Sequence, residues 1–301
     1  MRRRKHRPAA AVSKLKRGPS SQAAPNVGGG ESATTAGNVR RRAQAGLCGG
    51  FWLWGRHAVL AAVLNPRRQL ERLCALDEHA AAVEAAVQSV APHIGRPKLE
   101  LLDRRALTAL LPADATHQGF ATLARPLPAT SLDDLPARAG TAAEPLLVVL
   151  DQVTDPRNVG AVLRSAYAFG AAAVVVQDRH APEEGGALAK AASGALETMP
   201  LIRVTNLART LRGLRDDGFR CVGLAGEAAD ILDCDMLGGP LALVLGAEGD
   251  GLRRLVREAC DALVRIPIAP EVDSLNLSAA AAVALYECAR ARHFAAGAGG
   301  G

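Results

Sequence analysis

The chain has 301 residues, 49% of them apolar and 22% charged, enough for about two domains with buried cores. Its net charge of +6 is local: residues 1–50 hold 11 basic side chains against Glu31 alone, which leaves 25 basic and 29 acidic groups in residues 51–301. A basic binding face on the folded body is therefore not implied by the charge. A membrane helix is excluded because no stretch reaches about 18 uncharged apolar residues; Phe51–Leu64, the nearest candidate, is broken by Arg56 and His57.

In chain order, residues 1–50 mix Arg/Lys blocks with Gly, Ser, Pro and Ala and show no hydrophobic period, so they are expected to be a disordered basic tail. The tail lacks the apolar stretch of a secretory signal, and Pro8, Pro19 and Pro25 would break the amphipathic helix of an organelle transit peptide. From Phe51 the pattern predicts a helix over 56–64, a strand over 70–76, a helix over 78–90, a strand over 98–102, a helix over 104–111 and a strand over 119–124. This makes residues 51–125 a small α/β domain. Residues 126–145, with Pro126, Pro128, Pro136 and Pro145, read as a linker.

Continuous apolar runs follow at 146–150, 172–176, 221–225, 241–245 and 263–268, as expected of parallel strands covered on both faces. Helix-length segments at 159–169, 187–196, 207–216, 252–259 and 275–292 alternate with them, so residues 146–294 read as a parallel-sheet α/β domain, and 295–301 as a flexible tail. Cys48, Cys74, Cys221, Cys234, Cys260 and Cys288 are widely spaced and never form a Cys-x-x-Cys pair. They are expected to be reduced thiols, with no disulfide and no metal site.

Ligands of open parallel sheets sit beyond the carboxyl ends of strands. Three loops there hold clustered polar residues and glycines. The first runs Asp151-Gln-Val-Thr-Asp155-Pro-Arg-Asn158-Val-Gly160 and on to Arg164. It reads either as a capped helix with a surface arginine or as a site. Asn158 and Arg164 can face one end of that helix only if Asn158 lies on the entering loop. The second, Gly246-Ala-Glu248-Gly249-Asp250-Gly251, has a glycine spacing unlike that of dinucleotide loops, and its two carboxylates suit a cationic or zwitterionic ligand better than a pyrophosphate. As a bland alternative it is a tight structural turn. The third runs from Ile266-Pro267 through Ser274-Leu275-Asn276-Leu277-Ser278 into an alanine-rich helix, where one or two of the polar residues would be caps.

Taken together, the three loops resemble the motifs of the SpoU group of RNA ribose 2′-O-methyltransferases in the SPOUT superfamily: Asp155-Pro156-x-Asn158-x-Gly160 to Arg164-Ser165-Ala166, then Leu245-Gly246-Ala247-Glu248-Gly249, then Ile266-Pro267 with Ser274 to Ser278. The likeness covers residues 51 to about 294. Ile268 and Leu277 depart mildly from the commoner methionine and valine. Gly55-Arg56-His57-Ala58-Val59 and His117-Gln118-Gly119 are similar to the L30e-like substrate-binding domain that precedes the catalytic part in these enzymes. Thr154 and the segment 201–209 bring the chain nearest to members acting on a guanosine of 23S rRNA.

The resemblance implies a knotted SPOUT-type parallel-sheet methyltransferase domain, S-adenosylmethionine as cofactor, a homodimer, no metal and no membrane partner, and a bacterial cytoplasmic location. Carried over by motif, Leu224, Gly246, Gly249, Ile266 and Leu275 would hold the cofactor. Asn158, Arg164, Glu248, Ser274 and Asn276 would form the catalytic group, and His117, Gln118 and Gly119 would touch RNA. Guanidinium stays protonated in proteins, so Arg164 is expected to bind the neighbouring phosphate and stabilise charge developing on the 2′-oxygen. Asn158 would orient it, and Glu248 would hold Arg164 or Asn276. Trp52 and Trp54 read as buried side chains or as stacking platforms for bases. A tRNA guanosine substrate and a catalytically silent RNA-binding assembly factor are the alternatives within reach of the same motifs. A dinucleotide enzyme is disfavoured by the single glycine in 151–160.

Overall fold

The computed structural model describes residues 49–135, 144–233 and 236–298. The expected basic tail, with Cys48, lies outside the described residues, as do Cys234, the middle of the linker and residues 299–301.

The small domain is a four-stranded sheet, ordered β1-β4-β2-β3, made of β1 (Phe51–Trp54), β2 (Leu70–Ala75), β3 (Leu99–Leu101) and β4 (Phe120–Ala124). Strand β4 pairs antiparallel with both β1 and β2, while β3 runs parallel to β2. Helices α1 (Arg56–Leu64), α2 (Ala80–Gln88) and α3 (Arg104–Ala109) connect them. Strand β1 was not expected: its four residues are too few and too uniformly apolar to show an alternating pattern, and it is pairing with β4 that makes them a strand.

The large domain holds a seven-stranded sheet, ordered β7-β6-β5-β10-β8-β11-β9. Its strands are β5 (Leu146–Asp151), β6 (Ala173–Gln177), β7 (Leu201–Val204), β8 (Arg220–Leu224), β9 (Asp230–Ile231), β10 (Leu241–Gly246) and β11 (Ala262–Arg265). All its pairings are parallel. The continuous apolar runs split by alternation between two cores. Leu146, Val148, Leu150, Leu243 and Leu245 face one; Leu147, Val149, Ala242 and Val244 face the other. Helices α4 (Pro156–Ala168), α5 (Gly186–Ala192) and α8 (Leu277–Ala298) cover the first face, and α6 (Leu207–Asp216) and α7 (Arg254–Arg257) cover the second. Helix α8 extends through Ala298, its alanines continuing the helix.

Helix starts follow local chemistry. The Asp155 carboxylate accepts from the Arg157 N–H at 2.9 Å with Pro156 at the first helical position of α4, and Asn206 caps α6 through the Arg209 N–H at 3.0 Å. Gly160 is set by packing: a Cβ there would stand 2.4 Å from the Leu188 carbonyl oxygen, so α4 and α5 touch backbone to backbone.

Small and large domains share a core. Leu53, Ala58, Ala62 and Ala124 belong to the same buried cluster as β5 and α4, and the Trp54 ring lies where a side chain on Gly186 would otherwise sit. Of the two readings of Trp54 the structure selects the buried one: its ring is used inside the protein. Trp52 is half-buried, 5.5 Å beneath the Arg72 guanidinium. Arg68, almost wholly buried, crosses the junction. Its Nε donates to the Glu197 oxygens at 3.0 and 3.1 Å, and Nη1 to Glu184 at 3.0 Å and to the Arg125 carbonyl at 2.7 Å.

Candidate active site

Strand order reverses between β5 and β10: the chain leaves β5 toward β6 and β7 and later returns beside β5 as β10. The loops beyond the carboxyl ends of these neighbours diverge and leave a crevice, the standard position for a ligand in such a sheet. Leu224, Gly246 and the residue pair Arg265–Ile266 end the adjacent strands β8, β10 and β11 on that same edge.

Glu248 is the hub of the crevice. Its Oε1 accepts from Asn158 Nδ2 at 3.0 Å, from Asn276 Nδ2 at 2.6 Å and from the Leu277 N–H at 3.1 Å. A single carboxylate oxygen thus ties the first, second and third loops together. Asn276 also caps α8: its Oδ1 accepts from the Ser278 N–H at 2.9 Å and from the Ser278 hydroxyl at 2.6 Å. With both ends of the amide engaged, Asn276 positions rather than reacts, and Ser278 belongs to the cap.

Three glycines shape the second loop for different reasons. At Gly246 a Cβ would lie 2.1 Å from the Gly251 carbonyl carbon and 2.4 Å from the Leu252 nitrogen, because the chain folds back through an Ala247–Gly251 bridge. Gly249 (φ 84°) and Gly251 (φ 62°) adopt left-handed backbone with open space around them. The tight-turn reading holds, and the fold-back leaves the backbone of Gly249 facing space beside the exposed Glu248 carboxylate.

Arg164 stands apart. Asn158 occupies the third position of α4, inside the helix, so Arg164 is displaced from it by about 9 Å along the axis and about 120° around it. Among the described residues Arg164 has no hydrogen-bond or ion-pair partner, and it is exposed. The expected orientation of Arg164 by Asn158 is therefore corrected, and of the two partners open to Glu248 the structure selects Asn276. Ser274 is exposed on the segment before α8, with Leu275 half-buried beside it.

His117, Gln118 and Gly119 form the turn that leads into β4. His117 is buried; its Nδ1 accepts from the Gly119 N–H at 3.0 Å and its Nε2 meets the Thr108 hydroxyl at 3.1 Å. Burial, with the Arg104 charge second, depresses its pKa. Gln118 takes left-handed backbone (φ 55°) and accepts from Arg56 N–H and from the Lys190 ammonium on α5. These residues build a turn and join the two domains, with His117 and Gly119 buried and Gln118 exposed.

Sequence reasoning passed over Asp151, Arg253 and Gln177. The Asp151 carboxylate is wholly buried, and Arg253, just past the glycine loop, meets it through its backbone N–H at 2.9 Å and its Nε at 2.8 Å. A carboxylate closing an apolar strand was the available signal. The thiols are unsuited to nucleophilic work: burial pushes Cys74 up to about 11 and Cys221 and Cys260 up to about 12. Among the described residues no cluster of His, Cys, Asp and Glu could hold a metal, and no helix is long and apolar enough to cross a membrane.

Residues 145–286 match the SpoU rRNA Methylase family. The 23S rRNA (guanosine-2′-O-)-methyltransferase RlmB of Vibrio vulnificus is 42% identical over 246 residues, covering 80% of this chain and 97% of that protein. The chain belongs to the SpoU family. The RlmB of Escherichia coli is 39% identical over 244 residues, 80% of this chain and 98% of its own length. Among solved structures, the SpoU methyltransferase AviRb from Streptomyces viridochromogenes, in complex with the cofactor AdoMet, aligns with a TM-score of 0.66 at 26% identity, over 85% of this chain and 93% of that one. The parallel sheet and its crevice are thus those of a SpoU fold.

Proposed function

We propose that this chain transfers the methyl group of S-adenosylmethionine to the ribose 2′-hydroxyl of a guanosine in 23S rRNA. The single observation that carries this reading is the convergence of Asn158, Asn276 and the Leu277 N–H on one oxygen of Glu248 at the strand-order reversal; the identity with the RlmB proteins over nearly their whole length supports the substrate. The site's residues fit the cofactor. Backbone at Leu224, Gly246, Gly249, Ile266 and Leu275 offers donors and acceptors for a nucleoside, and Glu248 and Asp250 suit a ligand carrying positive charge.

When bound, the cofactor supplies an electrophilic methyl group. The chain's own contribution is positional and electrostatic. Glu248 fixes the walls of the crevice, Asn158 presents an amide at its entrance, and Asn276 locks the start of α8 against the glycine loop. Arg164, unpaired and exposed, binds the RNA phosphate beside the target and offsets charge building on the 2′-oxygen, while the proton leaves to phosphate or solvent. In this proposal the small domain is the L30e-like RNA-binding part, and the segment 266–276, tied to the glycine loop through Glu248, is the thread of the knot.

A homodimer belongs to the same proposal. Tyr167 on α4 and Val283 and Tyr286 on α8 are exposed apolar side chains, and Tyr286 meets Phe169 edge-on at 6.1 Å. A second copy packed on these two helices would bury them and bring Arg164, one turn from Tyr167, into the shared boundary.

Single-turnover methylation of unmodified 23S rRNA, with tRNA as the comparison, tests the reading. Transfer to a 23S guanosine, and an Arg164→Ala variant that keeps cofactor affinity but loses about 100-fold in rate, are expected. A wild type that binds no S-adenosylmethionine, or that methylates only tRNA, overturns it.

A further inference from the structure

The second and third loops meet at Glu248, but what holds the second loop in place lies deeper. Asp151 ends β5 and pairs in register with Gly246 at the end of β10. Its carboxylate is completely buried. One oxygen accepts the Arg253 backbone N–H at 2.9 Å; the other takes Arg253 Nε at 2.8 Å and Nη2 at 2.6 Å. The same Nη2 continues to Gln177 Oε1 at 2.6 Å, and Gln177 is itself fixed to the Thr205 carbonyl at 3.2 Å. The guanidinium therefore bridges the carboxyl ends of β5 and β6.

Both ends of the glycine loop are consequently anchored to one residue. At its entry Gly246 is held beside Asp151 by the sheet, and at its exit Arg253 is held by the Asp151 carboxylate. Asp151 is also the root of the first loop, seven residues before Asn158. A buried carboxylate without its partner is strongly disfavoured, so the loop cannot swing away while Asp151 stays charged and covered. We propose that Asp151, acting through Arg253 and Gln177, is the positioning residue that presets the cofactor loop and the Asn158–Glu248 contact before ligand arrives. This rests on the reading of the crevice as the S-adenosylmethionine site.

Calorimetric titration of the full chain with S-adenosylmethionine, alongside thermal unfolding, is the test. Asp151→Asn keeps the shape but removes the charge, and is expected to weaken cofactor affinity about 10-fold and to lower kcat in addition, because Asn158 and Glu248 lose their common root. Arg253→Lys keeps a charge but not the fork, and is expected to bind the cofactor more weakly than wild type but more tightly than Arg253→Ala. Gln177→Leu leaves the ion pair whole and is expected to have the smallest effect. If Asp151→Asn fails to fold, Arg253→Lys decides: weakened affinity supports the proposal and unchanged affinity overturns it. Variants that melt earlier yet bind S-adenosylmethionine as wild type does would reduce the cluster to a stability element and sink the proposal. A wild type that binds no S-adenosylmethionine would instead sink the underlying reading of the crevice.

Discussion

Replacing Arg68 by methionine keeps an apolar stem and removes a guanidinium that has no access to water. In the folded protein this group donates to Glu197, at 2.8 Å through Nη2 and 3.0 to 3.1 Å through Nε, to Glu184 at 3.0 Å and to the Arg125 carbonyl at 2.7 Å. The Glu197 side chain is only 4% exposed and would keep just Asn65 Nδ2, at 2.8 Å, as a side-chain donor. Leaving a carboxylate buried and under-paired costs about 3–5 kcal/mol. At about 2–4 °C per kcal/mol for a protein of this size, the expected fall in Tm is about 6–20 °C. Pairing Arg68→Met with Glu197→Met removes both charges and should restore most of that loss. The glycine loop and Glu248 are untouched, so S-adenosylmethionine affinity should hold while the KM for RNA rises, because the small domain is no longer fixed. A single variant costing under about 1 kcal/mol in urea unfolding would refute the reasoning, since it would mean that the junction admits water to the ion pair.

Glu248→Gln turns three charge-assisted bonds on one oxygen into neutral ones; because the site is exposed, a loss of about 1–2 kcal/mol is expected, seen as a roughly 5- to 30-fold lower single-turnover rate with little change in Tm. A wild-type rate would remove Glu248 from the working group. Gly246→Ala drives a Cβ into backbone of Gly251 and Leu252 that cannot rotate away, so cofactor affinity measured by calorimetry should drop about 10-fold or more; normal binding would show that the loop is not a cofactor wall. His117 is kept neutral by burial, so the unfolded chain takes up a proton that the folded chain refuses. Stability is therefore expected to be present above about pH 6.5 and to be lost as pH falls through the depressed folded value. Urea midpoints between about pH 7.5 and 5.5 should fall less in His117→Gln than in wild type, and parallel slopes would argue against the buried neutral ring.

How much could be read beforehand depends on where each signal is stored. Strands β5, β6, β8 and β10 were legible because they are covered on both faces, and their apolar character is local. Strand β7 was not, since Leu201–Val204 is interrupted by Arg203, whose guanidinium reaches the Pro182 carbonyl, and the two exposed residues of β9 carry no pattern at all. The three loops were found from residue types alone, and Asn158, Glu248 and Asn276 do meet. The Arg68 junction could not be found that way. Arg67 and Arg68 follow Pro66 as an ordinary basic turn, and what buries one and exposes the other is a pair of glutamates more than a hundred residues later.

Arg164 marks the limit of motif reading most sharply. Spacing along a motif suggests proximity, but Asp155 caps α4 and Pro156 opens it, which puts Asn158 inside the helix and commits the next six residues to helical rotation. A guanidinium so displaced cannot be held by the Asn158–Glu248–Asn276 group, whose hydrogen bonds are already closed on one another. Within a single copy of the chain, then, the charge at Arg164 has no protein partner among the described residues. On the proposed reading its chemistry is completed by a phosphate of the RNA, presented where a second copy of the chain would share the boundary. The proposal thus divides the work between the carboxylate hub, whose hydrogen bonds are closed before any substrate is present, and Arg164, which would act only once the substrate brings its own charge.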